Sequence, residues 1–244
     1  MRDLPLLPAS ILAPAPVAAP MRDAWGQALH RPAFRLSWLL LLVLLFGGLV
    51  PLVPAFFTSI QQRPGPVLAD PLLALLPRYD VATPVFVLMY GAVLGAVGWL
   101  TRHPLLFLRG LWGYFILMLL RMATIWLVPL SPPLALVPMP DPFTAHLFHT
   151  AANEVITKDL FFSGHTATVA ILALAVRGRW WRGTLAVVAV AIGLLVLVQR
   201  VHYTYDVAAA PLFAWLAYWA AAYITRPATQ DAQPACPAAP EVAY

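Results

Sequence analysis

Charge is what this sequence has least of. Of its 244 residues only 10% are Asp, Glu, Lys or Arg, 61% are hydrophobic, and the mean hydropathy is +0.79. Soluble domains carry about 25% charged residues, so a water-soluble globule is excluded and an integral membrane protein is expected. Cysteine is nearly absent too. The single Cys236 stands in the C-terminal tail, which rules out an intrachain disulfide. Lys158 is the one lysine among fifteen basic residues, and with abundant Ala and Pro this arginine bias points to a GC-rich bacterial genome. There is no Walker motif, no dinucleotide fingerprint and no Gly-x-Ser-x-Gly, so those routes to phosphate binding or a serine nucleophile are closed. A pI near 9.7 would suggest nucleic acid in a soluble protein. Here it reflects the cytoplasmic arginine of membrane proteins, and no nucleic-acid partner is expected.

What the chain does have is apolar length. A helix needs about 20 residues to cross the hydrocarbon core, and six runs approach this: 36–57, 82–100, 104–128, 160–176, 183–198 and 205–224. The expected fold class is all-α, a polytopic membrane protein built as a six-transmembrane-helix bundle. It would occupy 36–225, between disordered cytoplasmic tails at 1–35 and 226–244. Prolines break 4–20 too often for a signal helix, and Met21-Arg22-Asp23 repeats Met1-Arg2-Asp3, so translation from Met21 is an expectation. Pro51 and Pro54 should kink the first spanning helix.

Orientation follows from arginine. With the N-terminus inside, ten arginines (2, 22, 31, 35, 102, 109, 177, 179, 182 and 226) fall on the inner side. Five basic residues, Arg63, Arg78, Arg121, Lys158 and Arg200, fall outside. The positive-inside rule then puts both termini in the cytoplasm, in a bacterial inner membrane. The fourth and sixth helices both begin on the outer face, with their free amides and positive dipole ends aimed the same way.

Two polar stretches stand at those helix starts. His202 and Asp206 are four apart, on one helical face, so the carboxylate can hold one ring nitrogen and leave the other as nucleophile or base. A carboxylate at a membrane helix end is costly and is read as functional. Ser163-Gly164-His165 sets a second imidazole at the head of another apolar run, with Ser163 as N-cap. Two imidazoles and two helix N-termini on one side make an anion site, suited to phosphate. Arg121 either pairs with a buried acid or binds that phosphate, and phosphate is the favoured reading. Arg200 is either an interfacial anchor or a second phosphate ligand. Asp159 and Asp80 are candidate orienting acids. His146 and His149 lack the spacing of a metal site and are read as loop residues, so no metal is expected.

Asp159-Leu160-Phe161-Phe162-Ser163-Gly164-His165-Thr166 and His202-Tyr203-Thr204-Tyr205-Asp206 resemble the sphingomyelin synthase family, within the type 2 phosphatidic acid phosphatase superfamily. Arg121-Met122-Ala123-Thr124 is similar to that family's Arg-x-x-Thr motif, and Leu76-Pro77-Arg78-Tyr79-Asp80 loosely echoes its first motif. The chain departs from relatives at Thr157-Lys158, where they carry Cys-Gly. It departs from the phosphatases at Phe162, in place of Pro, and at Val196, in place of Arg. The resemblance implies a lipid phosphotransferase that moves a phospho-headgroup from a phospholipid to a lipid alcohol of the ceramide or diacylglycerol class. A lipid phosphatase using water is the alternative, and a transporter or proton relay the non-enzymatic one. It also implies catalytic His165, His202 and Asp206, phosphate binding by Arg121, Arg200, Ser163 and Gly164, membrane-lipid substrates, and no cofactor.

Overall fold

Among the described residues, five helices in the computed structural model are long and apolar enough to cross a membrane. The structure describes residues 21–140 and 156–230 of the 244. The expectations for 1–20 and 231–244, and those for His146 and His149, lie outside the described residues. Among the described residues all regular structure is helical.

The chain runs as α1 (Met21–His30), α2 (Pro32–Leu42), a π-helical stretch (Val43–Leu49) and α3 (Val50–Gln61), then α4 (Pro71–Leu75), α5 (Ala82–Leu100) and α6 (Pro104–Leu127). After the 141–155 segment come α7 (Gly164–Ala175), α8 (Arg179–Val198), α9 (Thr204–Ile224) and the short α10 (Arg226–Gln230). Proline sits in the first turn of α2, α4 and α6, where its missing N–H costs nothing and its fixed φ starts the helix.

Three expectations are corrected. Residues 21–30 and 32–35 are helical rather than a tail, because Trp25 is clamped among Phe34, Trp38 and Phe107 and donates its indole N–H to Thr101 O. The boundary at 226 also shifts, since α10 continues to Gln230. The fourth expected span, 160–176, is only partly helical. α7 has 12 residues, about 18 Å at 1.5 Å per residue, well short of the ~30 Å core.

The expected distortion of the first span takes a specific form. α2, the π stretch and α3 make one continuous apolar helix over Pro32–Gln61. Pro51 and Pro54 have no N–H for the carbonyls four residues back. Upstream the ladder widens, and Val50 N–H donates to Leu45 O, five residues back.

α9 packs closely on both α6 and α7, and α7 on α8. α9 buries Ala210, Ala214 and Ala217, a small-residue face against Leu117, Ala167 and Ile171, and Ala221 beside Leu108, Trp112 and Phe115. Small side chains let membrane helices approach closely where apolar lipid offers no hydrophobic drive to associate. α6 and α7 run antiparallel in a register marked by three glycines. A Cβ on Gly110 would touch Ala175, one on Gly113 would touch Ile171, and one on Gly164 would touch Arg121. The Arg121 layer therefore lies six residues, about 9 Å, below the Leu127 end of α6. Outward faces carry large exposed apolar side chains such as Phe46, Leu94, Val187 and Trp219, as lipid-facing helices do.

Candidate active site

The ends of α3, α6 and α8 and the starts of α5, α7 and α9 gather at one end of the bundle, and hydrogen bonds tie them together. Gln61 at the end of α3 accepts from the Thr157 and Lys158 amides and donates to Thr157 Oγ1. The turn between α8 and α9 holds His202, and the turn before α7 holds Ser163.

His202 and Asp206 form the expected pair. Nδ1 of His202 lies 3.3 Å from Oδ2 of Asp206, and both side chains are 2% exposed. The same carboxylate oxygen accepts the Tyr203 N–H at 3.1 Å. An aspartate buried this far would be costly without those two partners. Because Nδ1 faces the carboxylate, Nε2 is the nitrogen left to act.

His165 meets this pair across a small space. The two imidazole centroids are 6.3 Å apart, at 67°. Both rings line a cavity of about 40 Å³, closed by Leu136, Met139, Ile156, Thr157 and Val201. A water needs roughly 10–15 Å³ of such space, so the cavity suits a few waters or one compact polar group. Its other walls are mostly apolar.

Arg121 is placed differently from the favoured expectation. The residue is 5% exposed, and its guanidinium pairs through Nη2 with Asp159 Oδ2 at 2.6 Å and donates to Asp159 O and Phe162 O. It also sits 5.6 Å over the Phe162 ring. The buried-acid partner that the sequence left open is Asp159, whose carboxylate bonds Arg121. This cluster explains why α7 starts late. Residues 159–163 are not helical, Phe161 has φ of 105°, and their backbone must find partners at membrane depth. Arg121 serves two of the carbonyls, and the Ser163 N–H donates to Asp206 O at 3.0 Å.

Ser163 is the N-cap of α7, as expected from the sequence. Its hydroxyl is fully buried and accepts from Thr166 N and Thr166 Oγ1, which commits it to the helix start. Gly164 leaves room for the Arg121 guanidinium.

Arg200, at φ 61°, donates from Nη2 to Leu76 O at 2.9 Å. It ties the α8–α9 turn to the segment after α4, and neither it nor Arg121 lines the cavity. Asp80 is exposed and accepts from Ala82 N and from Gln199 Nε2, so it caps the start of α5 instead of orienting a histidine. Those two bonds hold its carboxyl below the ordinary range.

Three residues that the sequence reading passed over complete the frame. Gln199 is fully buried. It accepts from Val81 N, donates to Asp80 and reaches Val137 O and Pro138 O, while its own carbonyl accepts from Val137 N. The segment that carries Leu136 and Met139 over the cavity is fastened by this one amide. Tyr203 is 1% exposed, accepts from Leu68 N and donates to Ser131 O. Asp70 accepts from Thr204 N and Thr204 Oγ1 at the start of α9. That last contact corrects the expectation that the α9 amides stand free for an anion. Asp70-Pro71 is an N-cap followed by proline at the first helical position, a readable start signal for α4, but nothing in it points to α9.

Residues 158–223 match the family described as PAP2 superfamily C-terminal. The matched stretch spans Ser163-Gly164-His165 and His202–Asp206, and it supports the type 2 phosphatidic acid phosphatase superfamily, without reaching down to the sphingomyelin synthase branch. No curated protein and no solved structure matches the chain.

Proposed function

We propose that this protein is a lipid phosphotransferase that moves a phospho-headgroup from a phospholipid to a lipid alcohol, with His202 as nucleophile. The observation that carries the reading is the buried His202–Asp206 pair facing His165 across one small cavity, inside the segment that matches the PAP2 superfamily.

In the first step Nε2 of His202 attacks the donor phosphorus, and the bond from phosphorus to the lipid alcohol oxygen breaks. His165 gives its proton to the departing alkoxide. Asp206 stabilises the positive charge that grows on the His202 ring and keeps its Nδ1 proton in place. In the second step the acceptor hydroxyl loses its proton to His165, its oxygen attacks the phosphohistidine, and the phosphorus–nitrogen bond breaks. The enzyme returns to its starting protonation. Arg121 acts at one remove, by holding the turn that presents His165, and the amides at the start of α7 supply dipole to the phosphoryl oxygens.

The apolar walls of the cavity favour a lipid substrate over a soluble phosphate ester. We place the site on the outer face and both termini in the cytoplasm, in a bacterial inner membrane. Arg102, Arg177, Arg179, Arg182 and Arg226 all stand at helix ends opposite the site.

A purified preparation in mixed micelles with labelled phospholipid tests the reading. Label should move to ceramide or diacylglycerol only when that acceptor is supplied, and His202→Ala should abolish the transfer. Release of a water-soluble labelled product without acceptor would make it a phosphatase. Full activity in His202→Ala would remove the mechanism altogether.

A further inference from the structure

We propose that Asp70 is a positioning residue for the His202–Asp206 pair, capping the first turn of α9 from a different part of the chain. The inference rests on the catalytic role given to that pair above.

A helix start needs acceptors for its first amides. The residue before α9 is Tyr203, whose hydroxyl donates instead to Ser131 O. Asp70, 134 positions earlier, supplies what is missing. Thr204 N–H donates to its Oδ2 at 2.6 Å, and the Thr204 hydroxyl donates to its Oδ1 at 3.1 Å. The preceding amide, Tyr203 N–H, goes to Asp206 Oδ2. Two carboxylates therefore hold two consecutive amides immediately after His202, and one of the two comes from outside the helix.

The same Asp70 Oδ1 accepts Leu73 N–H at 3.0 Å and starts α4. One side chain thus joins the α3–α5 connection to the turn that carries His202. Tyr203 makes a parallel tie, accepting Leu68 N–H from that connection. The carboxylate's charge also suits the positive end of α9, a 21-residue helix. Asp70 does not line the cavity, so its influence on His202 runs through backbone position. A nucleophile displaced by about 1 Å can lose about a hundredfold in rate, which is how so remote a group would be felt.

Three variants test this. Asp70→Ala removes the cap. Asp70→Asn keeps the shape but turns an amide N–H₂ toward one of the donors. Thr204→Val removes only the hydroxyl bond and leaves the backbone one. Hydrogen–deuterium exchange over residues 200–207 and steady-state kinetics with phospholipid donor are measured on the full-length protein in detergent. The expectation is amide exchange at least about fivefold faster in Asp70→Ala and Asp70→Asn, with Thr204→Val near wild type. In the same two variants kcat falls about tenfold or more while KM stays within about twofold, since an aim-setting role acts on the reacting complex.

Unchanged exchange at 200–207 in a folded Asp70→Ala or Asp70→Asn overturns the cap. Faster exchange with kcat intact overturns the positioning role. If Asp70→Ala fails to accumulate, Asp70→Asn decides both points. An absence of phospholipid turnover in the wild type would defeat the proposed function, whereas the exchange result would still decide the cap.

Discussion

Gly164 and Arg121 share one volume. A Cβ on Gly164 would lie 2.7 Å from Arg121 Cζ and within 2.9 Å of both terminal nitrogens. The glycine of the Ser-Gly-His stretch is therefore explained by a guanidinium on another helix that must lie flat against the start of α7.

Gly164→Ala should accordingly damage both the site and the fold. Alanine gains about 1 kcal/mol of helix propensity. Against that, the guanidinium must leave the Asp159 carboxylate and two carbonyls, and leaving such groups unpartnered costs about 1–3 kcal/mol each. The loss wins. Transfer activity should fall at least about tenfold, and the melting temperature by about 5 °C or more, measured by thermal unfolding in detergent beside the lipid assay.

Arg121 and Asp159 should behave as a unit. Arg121→Lys keeps the charge but cannot present the planar fork that reaches Asp159 Oδ2, Asp159 O and Phe162 O together. Asp159→Asn removes the charge that holds the fork. Each single change should lower kcat about tenfold to a hundredfold, and the double variant should be little worse than either. Additive losses in that cycle would mean that the two side chains act separately, and would revive a direct phosphate contact for Arg121.

Gln199→Leu tests the frame over the cavity. The leucine fits in size but leaves the half-buried Val81 N–H, whose bond the amide oxygen now accepts, without an acceptor. It also frees Val137 O and Pro138 O. The expected cost is about 2–4 kcal/mol, or roughly 5–15 °C in melting temperature. Activity measured well below the new melting point should fall as well, because Leu136 and Met139 would no longer be held over His165 and His202.

The parts that were legible in the sequence are those governed by local rules. Apolar length marked the long spans, the spacing of His202 and Asp206 put them on one helical face, and Ser163 could be recognised as a cap from its place before an apolar run. What stayed hidden was tertiary. Arg121 has two chemically reasonable partners, a phosphate and a carboxylate, and only the α6–α7 register brings Asp159 within 2.6 Å. The same register cuts the fourth span to 12 residues, since Arg121 and Asp206 satisfy backbone that would otherwise have to be helical. Trp25 looked like part of a tail because its partners, Phe107 and Thr101, come some 80 residues later. Asp70 carried a clear local signal for α4, but its bond to α9 crosses 134 positions and leaves no mark in the pattern.

Acid should erase the contribution of Asp70 at a definable point. Burial pushes its carboxyl up, but the bonds from Leu73 N–H, Thr204 N–H, the Thr204 hydroxyl and Leu72 N–H outweigh it, and its pKa lies below the ordinary value of 3.8. Tyr203 lies between Asp70 and Asp206 in its electrostatics and feels both carboxylates. The Tyr203 phenol is raised by burial and by those two carboxylates, against the Leu68 N–H bond, and stays neutral throughout this range. A carboxyl with a depressed folded pKa adds stability that is present above its unfolded pKa and is lost as pH falls through the folded one. Wild type should therefore melt above Asp70→Asn at pH 6–7, by a few degrees. The gap should narrow only below about pH 4, where the unfolded chain begins to take up the proton. Melting curves of both proteins in detergent from about pH 7 to about pH 3 would decide it. A gap that stays constant to the acid limit would mean that shape rather than charge fastens α9, and a gap that closes near pH 6 would assign the effect to a histidine.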